Sequence, residues 1–320
     1  MASPADGRVV VVGSFNVDHV WTAAQLPAAG ATLAGQYHSG PGGKGFNQAI
    51  AAARAGVATT FVCALGDDPG AGFARALAQD DGIDLRSARS LQRTGTAGIF
   101  VDAQGRNSIV IGAGANADLS PAFVEAQRDA IVAAGVVLVQ LESPLPAVAA
   151  ALHAARDAGA FAMLNPAPAN ATASAELLSL CNVATPNETE FAALLAAHCA
   201  EDVDPAGVAG TDDATLHSLA RRLLPAGSVV ITLGSQGLFV SHPADALRGD
   251  AQAHYRIAAE AANVVDTTGA GDACNGALAA SLALHPGRPF RDHVAFANRY
   301  AARSTEHAGA AAAMPRLPVP

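Results

Sequence analysis

The stretch ANVVDTTGAGDACNGALAASLAL, residues 262–284, carries the most informative pattern in the sequence. It predicts an apolar strand that ends at Asp266, then a glycine-containing turn, then a long helix of small residues that begins near Asp272. The first amides of a helix are unpaired and lie at the positive end of its dipole, and glycine lets a phosphate group approach closely. The turn is therefore predicted to bind an anion. Its residues are Gly269, Ala270 and Gly271.

Asp272 follows this turn directly. The field that attracts phosphate also favours the ionised carboxylate, which would orient a substrate hydroxyl and accept its proton during phosphoryl transfer. Carboxylates at helix starts are also common as caps. Two interpretations therefore stay open for Asp272, a catalytic base and a capping residue, and Asp266 is either part of the site or an ordinary turn residue.

Short β-branched runs alternate with longer Ala- and Leu-rich stretches in the rest of the chain, which is typical of an α/β fold. The predicted strands are residues 9–12, 60–64, 136–140, 161–164 and 229–232. The predicted helices are residues 47–55, 121–134, 146–158 and 215–224, and residues 202–213 are predicted to form a polar surface loop. This alternation favours one domain, residues 1–320, with a mainly parallel central sheet covered on both faces.

Two segments, at about residues 14–40 and 95–113, break this alternation. In the second, AGIFV and NSIVI flank a turn, which predicts a hairpin. We expect both segments to form antiparallel strands inserted into the α/β body. Such a small sheet either covers a ligand as a lid or extends the main sheet.

The composition argues against several classes of partner. A formal net charge of -9 leaves no broad positive surface for nucleic acid or an anionic membrane. The four cysteines have neither metal-ligand spacing nor the density of a disulfide scaffold. The chain start shows no basic region followed by an apolar stretch, and no apolar run reaches the roughly 20 residues of a membrane span. We therefore expect a cytoplasmic protein with reduced thiols.

The glycine-rich stretch GPGGKGFNQAIAAARAG leads into a predicted helix. Gly42 and Gly43 would let backbone amides approach a ligand, while Lys44 offers a cation and Asn47 a side-chain donor and acceptor. The stretch is not a Walker A loop, because a glycine follows Lys44 and His38 occupies the first required glycine position. No G-x-G-x-x-G follows the first strand directly, which argues against an NAD-dependent oxidoreductase.

Polar residues also follow two predicted strands, where ligands bind in open α/β sheets. Asn16 and Asp18 in GSFNVDH share one side of an extended chain, so they either hold vicinal hydroxyls or form a polar turn. Glu142 in VVLVQLESPL is either a ligand-binding carboxylate or an exposed loop residue.

Two further motifs are consistent with a nucleotide. Asn187 and Glu190 in TPNETE lie three residues apart, so they either hold waters around Mg²⁺ or cap a helix. In VVITLGSQG, residues 229–237, a strand runs into a turn that either faces a nucleotide or is merely tight. The residues of that turn are Gly234, Ser235 and Gly237.

Together these motifs resemble the ribokinase family of carbohydrate kinases. They occur in family order along nearly the whole chain, from GSFNVDH through GGKGFNQA, GANADLSP, LVQLESPL, LNPAPA, TPNETE and ITLGSQG to DTTGAGDACNGAL. The resemblance implies a ribokinase-like three-layer α/β fold with a small β-sheet lid. It also implies phosphate transfer from MgATP to the primary 5-hydroxyl of D-ribose, and a homodimer, because the lid of this family frequently pairs between subunits.

The resemblance further assigns roles to residues. Asp272 would be the catalytic base and, with Gly269, Ala270 and Gly271, the anion hole, while Lys44 would balance phosphate charge. The sugar would be held by Asn16, Asp18, Gly42, Gly43, Asn47 and Glu142. The nucleotide side would comprise Asn187, Thr232, Gly234, Ser235, Gly237, Gly271 and Asn298, with Glu190 acting on Mg²⁺ through water. A monovalent cation, usually K⁺, would be held at Asp266, Thr268, Ser304, His307 and Gly309.

Two positions depart from the family pattern. Phe46 stands where a smaller residue is common and is expected to narrow or reshape the sugar pocket. Ala313 stands where the family commonly has a polar residue, so one side-chain ligand of the cation is expected to be absent. The alternatives to a ribose kinase are a related kinase for deoxyribose, fructose or a nucleoside, and a non-catalytic sugar-binding regulator.

Overall fold

A nine-stranded sheet forms the centre of the structure, a computed structural model that describes residues 7–171 and 173–317. The strands in chain order are β1 (Arg8–Val12), β2 (Asn16–Thr22), β3 (Gln36–Gly42), β4 (Ala58–Leu65), β5 (Asp84–Arg89), β6 (Gly95–Val101), β7 (Asn107–Gly112), β8 (Val136–Val139), β9 (Phe161–Leu164), β10 (Val183–Ala184), β11 (Ser228–Thr232), β12 (Leu238–Ser241) and β13 (His254–Ile257). The ends of the predicted domain, residues 1–6 and 318–320, lie outside the described residues.

The central sheet is mainly parallel, as predicted. Its spatial order is β13-β12-β11-β10-β9-β8-β1-β4-β5. The strands from β11 to β5 are parallel to their neighbours, and the β11–β12 and β12–β13 pairs at one edge are antiparallel.

Helices cover both faces of this sheet. They are α1 (Lys44–Arg54), α2 (Pro69–Asp80), α3 (Pro121–Glu125), α4 (Arg128–Val132), α5 (Leu145–Ala158), α6 (Ala175–Ser179), α7 (Glu188–Cys199), α8 (Pro205–Val208), α9 (Asp213–Leu223), α10 (Ala270–Leu284) and α11 (Phe290–Ser304). None of the helices within residues 7–171 and 173–317 is long and apolar enough to cross a membrane.

Strand β1 shows why the fold has three layers. Its side chains alternate between two hydrophobic clusters: Val9 and Val11 pack in the cluster that includes buried residues of α1 and α10, and Val10 and Val12 in the one that includes residues of α5 and α7. Because both faces are buried, the strand is a continuous valine run rather than an alternation of apolar and polar residues.

A separate four-stranded sheet has the order β3-β2-β6-β7. It consists of two antiparallel hairpins, β2–β3 and β6–β7, but its central pair, β2–β6, is parallel. The prediction of antiparallel strands is therefore wrong for this pair. The pairing follows from the register, in which Asn16 lies opposite Gly95 and Thr22 opposite Val101, so the first strands of the two hairpins run in the same direction.

Three other predictions differ from the structure. Residues 121–134 form two short helices rather than one, because the amide of Gln127 bonds to the carbonyl of Val124, a tighter i→i+3 bond, where the first helix ends. The predicted loop at residues 202–213 contains α8, which is capped by Asp204 and buries Val208. The expected strand ending at Asp266 is also wrong, as the next paragraph explains.

Residues 258–266 contain no strand. Val264 and Val265 are 63% and 66% exposed, so this apolar pair has no sheet neighbour to bury it. The amides of Val265 and Asp266 bond instead to the carbonyl of Thr305 beyond α11. The helix that follows, α10, starts two residues before the predicted Asp272.

We predict that Gly276 is required for the close packing of α10 against α1. A Cβ at Gly276 would lie 2.4 Å from the carbonyl oxygen of Gln48 and 2.5 Å from the Cβ of Ala51. Gly276→Ala should therefore force the helices apart and lower the free energy of unfolding by about 1–3 kcal/mol in urea titrations. Gly72→Ala in α2 is the matched control, because an added Cβ there meets no atom within 4 Å. Equal loss of stability in both variants would contradict the prediction.

Candidate active site

A polar cluster lies where the central parallel strands end. Ser14 follows β1, Glu142 follows β8, Asn165 follows β9 and Thr185 follows β10. Their side chains reach the starts of two helices: Ser14, Glu142 and Asn165 bond to residues of α1, and Thr185 bonds to Asn275 of α10. The cluster therefore occupies the carboxyl edge of the sheet, where open α/β folds bind their ligands.

Asp272 is buried in the first turn of α10, where both carboxylate oxygens accept hydrogen bonds from α1. The Nδ2 of Asn47 donates to Oδ2 at 2.9 Å, and the Nε2 of Gln48 donates to Oδ1 at 2.9 Å. The cap residue of α10 is Gly269, with a φ of 76° and no side-chain cap bond. Capping therefore does not account for Asp272, whose carboxylate joins two helices.

The charges around Asp272 act in opposite directions. Burial raises its pKa, while the ammonium of Lys44 and the amides of Asn47 and Gln48 lower it. Burial alone would lower the pKa of Lys44, but the carboxylates of Asp272, Glu142 and Glu190 raise it above its ordinary value. Lys44 is therefore held as a partly buried cation among carboxylates.

Glu142 is tied to the start of α1. Its Oε2 accepts a bond from the hydroxyl of Ser14 at 2.6 Å and from the amide of Lys44 at 3.1 Å. These bonds use one carboxylate oxygen and fix the side chain. The structure thus contradicts the interpretation of Glu142 as a freely exposed loop residue.

Asn16 and Asp18 lie at the start of β2, on the side of the small sheet nearest to the cluster. The Oδ1 of Asn16 accepts a bond from the Nδ2 of Asn116 at 2.8 Å, and Asn116 also bonds to the backbone of Phe15 through both of its side-chain atoms. Asn116 therefore fixes the orientation of the Asn16 amide. The Nδ2 of Asn16 takes no part in this bond.

Asp18 is a partly buried carboxylate beside Gly42 of β3. Burial raises its pKa from 3.8 to about 7, and the carboxylates of Glu142 and Asp272 add to this rise. A Cβ on Gly42 would lie 2.0 Å from Oδ2 of Asp18, so a larger residue there would displace that carboxylate. Gly43, with a φ of 88°, then opens α1.

Phe46 has no exposed surface, and its ring packs edge-on against Phe15 and tilted against Phe61 in the core. The expectation that it narrows a sugar pocket is wrong, because the side chain points into the core rather than into the site. Its neighbour Asn47 differs: the Oδ1 of Asn47 is buried and has no hydrogen-bond partner among the described residues.

A cleft of about 670 Å³ lies on the other side of the α10 start. The predicted nucleotide residues that line it are Asn187, Thr232, Gly234, Ser235, Gly237, Gly271 and Asn298. Gly237, with a φ of 87°, packs so closely on the segment after β13 that a Cβ would meet the carbonyl oxygen of Ile257 at 2.0 Å. The Gly-Ser turn thus forms one wall of the cleft.

Asn187 and Glu190 form a reciprocal capping box at the start of α7. The Oδ1 of Asn187 accepts a bond from the amide of Glu190, and the Oε2 of Glu190 accepts one from the amide of Asn187. The capping interpretation of this pair is therefore correct. Asn187 also lines the cleft, whereas the buried Glu190 does not.

The residues that the resemblance assigns to a cation site are only partly linked by hydrogen bonds. Oδ1 of Asp266 accepts a bond from the amide of Thr268, and Oδ2 accepts one from the amide of Gly309. The hydroxyl of Ser304 donates to Ala301 within its own helix, and His307 is exposed. Within the described residues no group of three or more His, Cys, Asp and Glu is arranged to hold a metal ion.

The sequence pattern of the pfkB family of carbohydrate kinases matches residues 6–317. The chain belongs to this family. Membership confirms the resemblance seen in the sequence and makes the protein a sugar phosphotransferase by class.

Individual pfkB-family proteins show the same relationship. A ribokinase of Staphylococcus aureus is 36% identical, with 97% of each chain covered. A bifunctional ribokinase/ribose-5-phosphate isomerase A of Fructilactobacillus sanfranciscensis is 39% identical over 87% of this chain, which spans 49% of that longer protein. The structure of Arabidopsis thaliana ribokinase complexed with ribose and ATP superposes with a TM-score of 0.81 at 28% identity, covering 98% of this chain and 96% of that one. The ribokinase-like fold is thereby confirmed.

Several side chains that build the site were missed from the sequence, among them Ser14, Asn116, Gln48, Asn165 and Thr185. Ser14 and Asn116 lie inside the quoted motifs GSFNVDH and GANADLSP, but each contacts a partner about 100 or more positions away. Gln48 directly follows Asn47 in the motif GGKGFNQA. Its position beside a predicted ligand-binding amide was the one local signal that could have identified it.

We predict that the Asp18 carboxylate lowers the free energy of unfolding at high pH. Its folded pKa of about 7 exceeds the unfolded value, so the folded state binds the extra proton and stability falls as pH rises from about 4 to 7. Asp18→Asn should raise the free energy of unfolding at pH 8 by on the order of 1–3 kcal/mol and change it little at pH 4. The exposed Asp202→Asn serves as a control that should alter neither value. A gain from Asp18→Asn that is equal at both pH values would contradict the prediction.

Proposed function

We propose that this protein transfers the γ-phosphate of ATP to the 5-hydroxyl of D-ribose, giving ADP and D-ribose 5-phosphate. The observation that carries the proposal is the buried carboxylate of Asp272, held by two side-chain amides beside a glycine turn. Asp18 lies close enough to interact with Asp272 electrostatically, and Gly271 lines the cleft. The carboxylate thus lies at the junction of a sugar side and a nucleotide side. The similarity to ribokinases, one of them in complex with ribose and ATP, supports this assignment.

Asp272 acts as the general base in this proposal. Its carboxylate takes the proton of the 5-hydroxyl as that oxygen attacks the γ-phosphorus, and the bond from phosphorus to the leaving ADP oxygen breaks. Burial raises the pKa of Asp272 and makes it a stronger base, while Lys44, Asn47 and Gln48 limit that rise. These opposing effects together set how readily the carboxylate accepts a proton.

The sugar is held by groups that converge from three elements. Asn47 contributes a buried Oδ1 that has no partner among the described residues, a suitable acceptor for a sugar hydroxyl. Asp18 contributes a desolvated carboxylate, and Glu142 has one oxygen left after its bonds to Ser14 and Lys44. Asn16 contributes an amide whose direction Asn116 sets. The missing Cβ of Gly42 and Gly43 leaves the backbone open to the ligand.

The proposed anion hole has fewer available amides than the sequence analysis assigned to it. The amide of Ala270 bonds to the carbonyl of Thr267, so it is already used. The amides of Gly271 and Asp272 have no backbone acceptor within the described part of the chain. We assign these two amides, at the positive end of the α10 dipole, to the transferring phosphate. Lys44 is the cation that balances the charge.

Mg²⁺ fits this site as an ion held mainly by nucleotide phosphates and water. Glu190 uses Oε2 in its capping box, so it has a single oxygen left for a water of the ion. When bound, Mg²⁺ would neutralise charge on the phosphates. Asn187, the turn at Gly234–Gln236 and Asn298 would then contact the nucleotide in the cleft.

A K⁺ ion near Asp266 is also part of the proposal. Asp266 already accepts two amide bonds and Ala313 has no side-chain oxygen, so backbone carbonyls would supply the ligands. When bound, the cation would supply positive charge close to the anion hole. The support for this site is that Asp266 links two loops, since its two carboxylate oxygens accept bonds from the amides of Thr268 and Gly309.

Pairing of two copies through the small sheet is also part of the proposal. Its edge strand β7 is exposed along its whole length, and Ile109, Val110 and Ile111 are 50%, 67% and 48% exposed. Such a face favours burial against a second copy. Light scattering that reports a monomer at micromolar concentration would exclude this pairing.

The function is tested by ADP release from MgATP with K⁺ present, across D-ribose, 2-deoxyribose, fructose and adenosine. D-Ribose should give the highest kcat/KM, and ³¹P and ¹³C spectra should place the phosphate on the 5-oxygen. Asp272→Asn should lower kcat by about 10³-fold or more, because it removes the base. Binding of ribose by calorimetry should change less than tenfold.

Each rival has its own outcome in this assay. Higher kcat/KM with 2-deoxyribose, fructose or adenosine would replace ribose by that substrate. Ribose binding without turnover in the wild type would establish a non-catalytic sugar-binding regulator. A fully active Asp272→Asn enzyme would remove Asp272 from the mechanism while leaving the kinase assignment in place.

A further inference from the structure

The carboxylate of Asp272 belongs to a longer chain of buried side-chain amides. Behind it, the Nε2 of Gln48 donates both to Oδ1 of Asp272 at 2.9 Å and to Oδ1 of Asn165 at 3.0 Å. On its other side, the Oε1 of Gln48 accepts a bond from the Nε2 of Gln140 at 2.5 Å. Gln48 and Gln140 have no exposed surface.

Each amide in this hydrogen-bonded series can adopt only one orientation. Asn165 donates its Nδ2 to the carbonyl of Thr185, so its Oδ1 must face Gln48. If the Gln48 amide were reversed, its oxygen would face the acceptors of Asp272 and Asn165, and its NH₂ would face the NH₂ of Gln140. The chain therefore directs two donor hydrogens of Gln48 away from Gln140.

This arrangement leaves one polar atom of Gln140 unpaired. Its Oε1 is buried and has no hydrogen-bond partner among the described residues. An unpaired buried acceptor is unfavourable, so the orientation of Gln140 is set by the need to donate to Gln48. Gly13 leaves room for it, since a Cβ there would lie 2.1 Å from that oxygen.

We propose that Gln48 is a positioning residue for phosphoryl transfer, which acts by holding Oδ1 of Asp272 in place with an amide that Gln140 and Asn165 keep in one orientation. The inference rests on the proposed role of Asp272 as the base. Gln48 is completely buried behind Asp272 and so acts through that carboxylate rather than by touching the sugar.

The charged groups around Asp272 define what the amide does. Lys44 of α1 lowers the pKa of Asp272, and Glu142, after β8, raises it. Asp18 of β2 and Glu190 of α7 also interact electrostatically with Asp272. Gln48 is a neutral donor to the ionised form, so its loss leaves the base more readily protonated.

Gln48→Leu is therefore expected to move the acid limb of the kcat–pH profile to higher pH by about one unit and to lower kcat on that limb by about tenfold. The KM values for sugar and ATP should change less than threefold. A purely structural role would lower the melting temperature without moving the limb.

Gln48→Glu keeps the shape of the side chain and guards against a misfolded leucine variant. Its carboxyl group can donate to Asp272 only when protonated, so the two carboxyl groups would share a proton and titrate as a pair. The acid limb should then move further than in Gln48→Leu. Ser281→Ala is the matched control, because it removes a buried hydrogen bond between Ser281 of α10 and His293 without touching Asp272.

A second readout does not depend on turnover. In protein labelled with ¹³C at aspartate carboxyls, the signal that disappears in Asp272→Asn should titrate at higher pH in Gln48→Leu and Gln48→Glu than in the wild type and in Ser281→Ala. Unchanged titration and an unchanged acid limb in an active wild-type background would overturn the role of Gln48. Absence of wild-type turnover would overturn the proposed function alone, since the titration still tests the contact.

Discussion

The hydrogen bonds from Asn47 and Gln48 to the buried carboxylate of Asp272 are the interaction on which the site depends. They join the first turns of α1 and α10, which lie far apart in the chain, and each helix begins after a glycine with positive φ, Gly43 and Gly269. The contact requires the two helices to lie close together, which Gly276 permits. The fold thus brings the proposed base and the proposed anion-binding helix start to one point.

Charge explains why this arrangement is useful to a kinase and costly to the fold. Asp272, Glu142 and Glu190 act on the cation Lys44, Asp18 lies near Glu142 and Asp272, and burial raises the pKa of Asp18, Glu190 and Asp272. Desolvated carboxylates accept hydrogen bonds and protons from sugar hydroxyls better than solvated ones do. The same desolvation disfavours their ionised forms, so stability is traded for reactivity.

Much of the fold could be predicted, because the central strands are buried on both faces and therefore read as apolar runs. The two-residue β10 and the half-exposed β5 lack such runs, and Val264 and Val265 form one without a neighbouring strand to pair with. The motif residues were also identifiable from their order. Ser14 and Asn116 were not, because their roles lie in contacts across 128 and 100 positions that no local pattern contains. The direction of Phe46 was missed for the same reason. Gln48 offered only its place beside Asn47 as a local signal.

The central claim is that Asp272 receives the proton of the sugar hydroxyl to which phosphate is transferred. A crystal structure with D-ribose and a non-hydrolysable ATP analogue tests it most directly. The account predicts that the 5-hydroxyl oxygen lies within about 3 Å of a carboxylate oxygen of Asp272 and faces the γ-phosphorus. A ribose bound with another hydroxyl against Asp272, or with its 5-hydroxyl against a different carboxylate, would contradict the account.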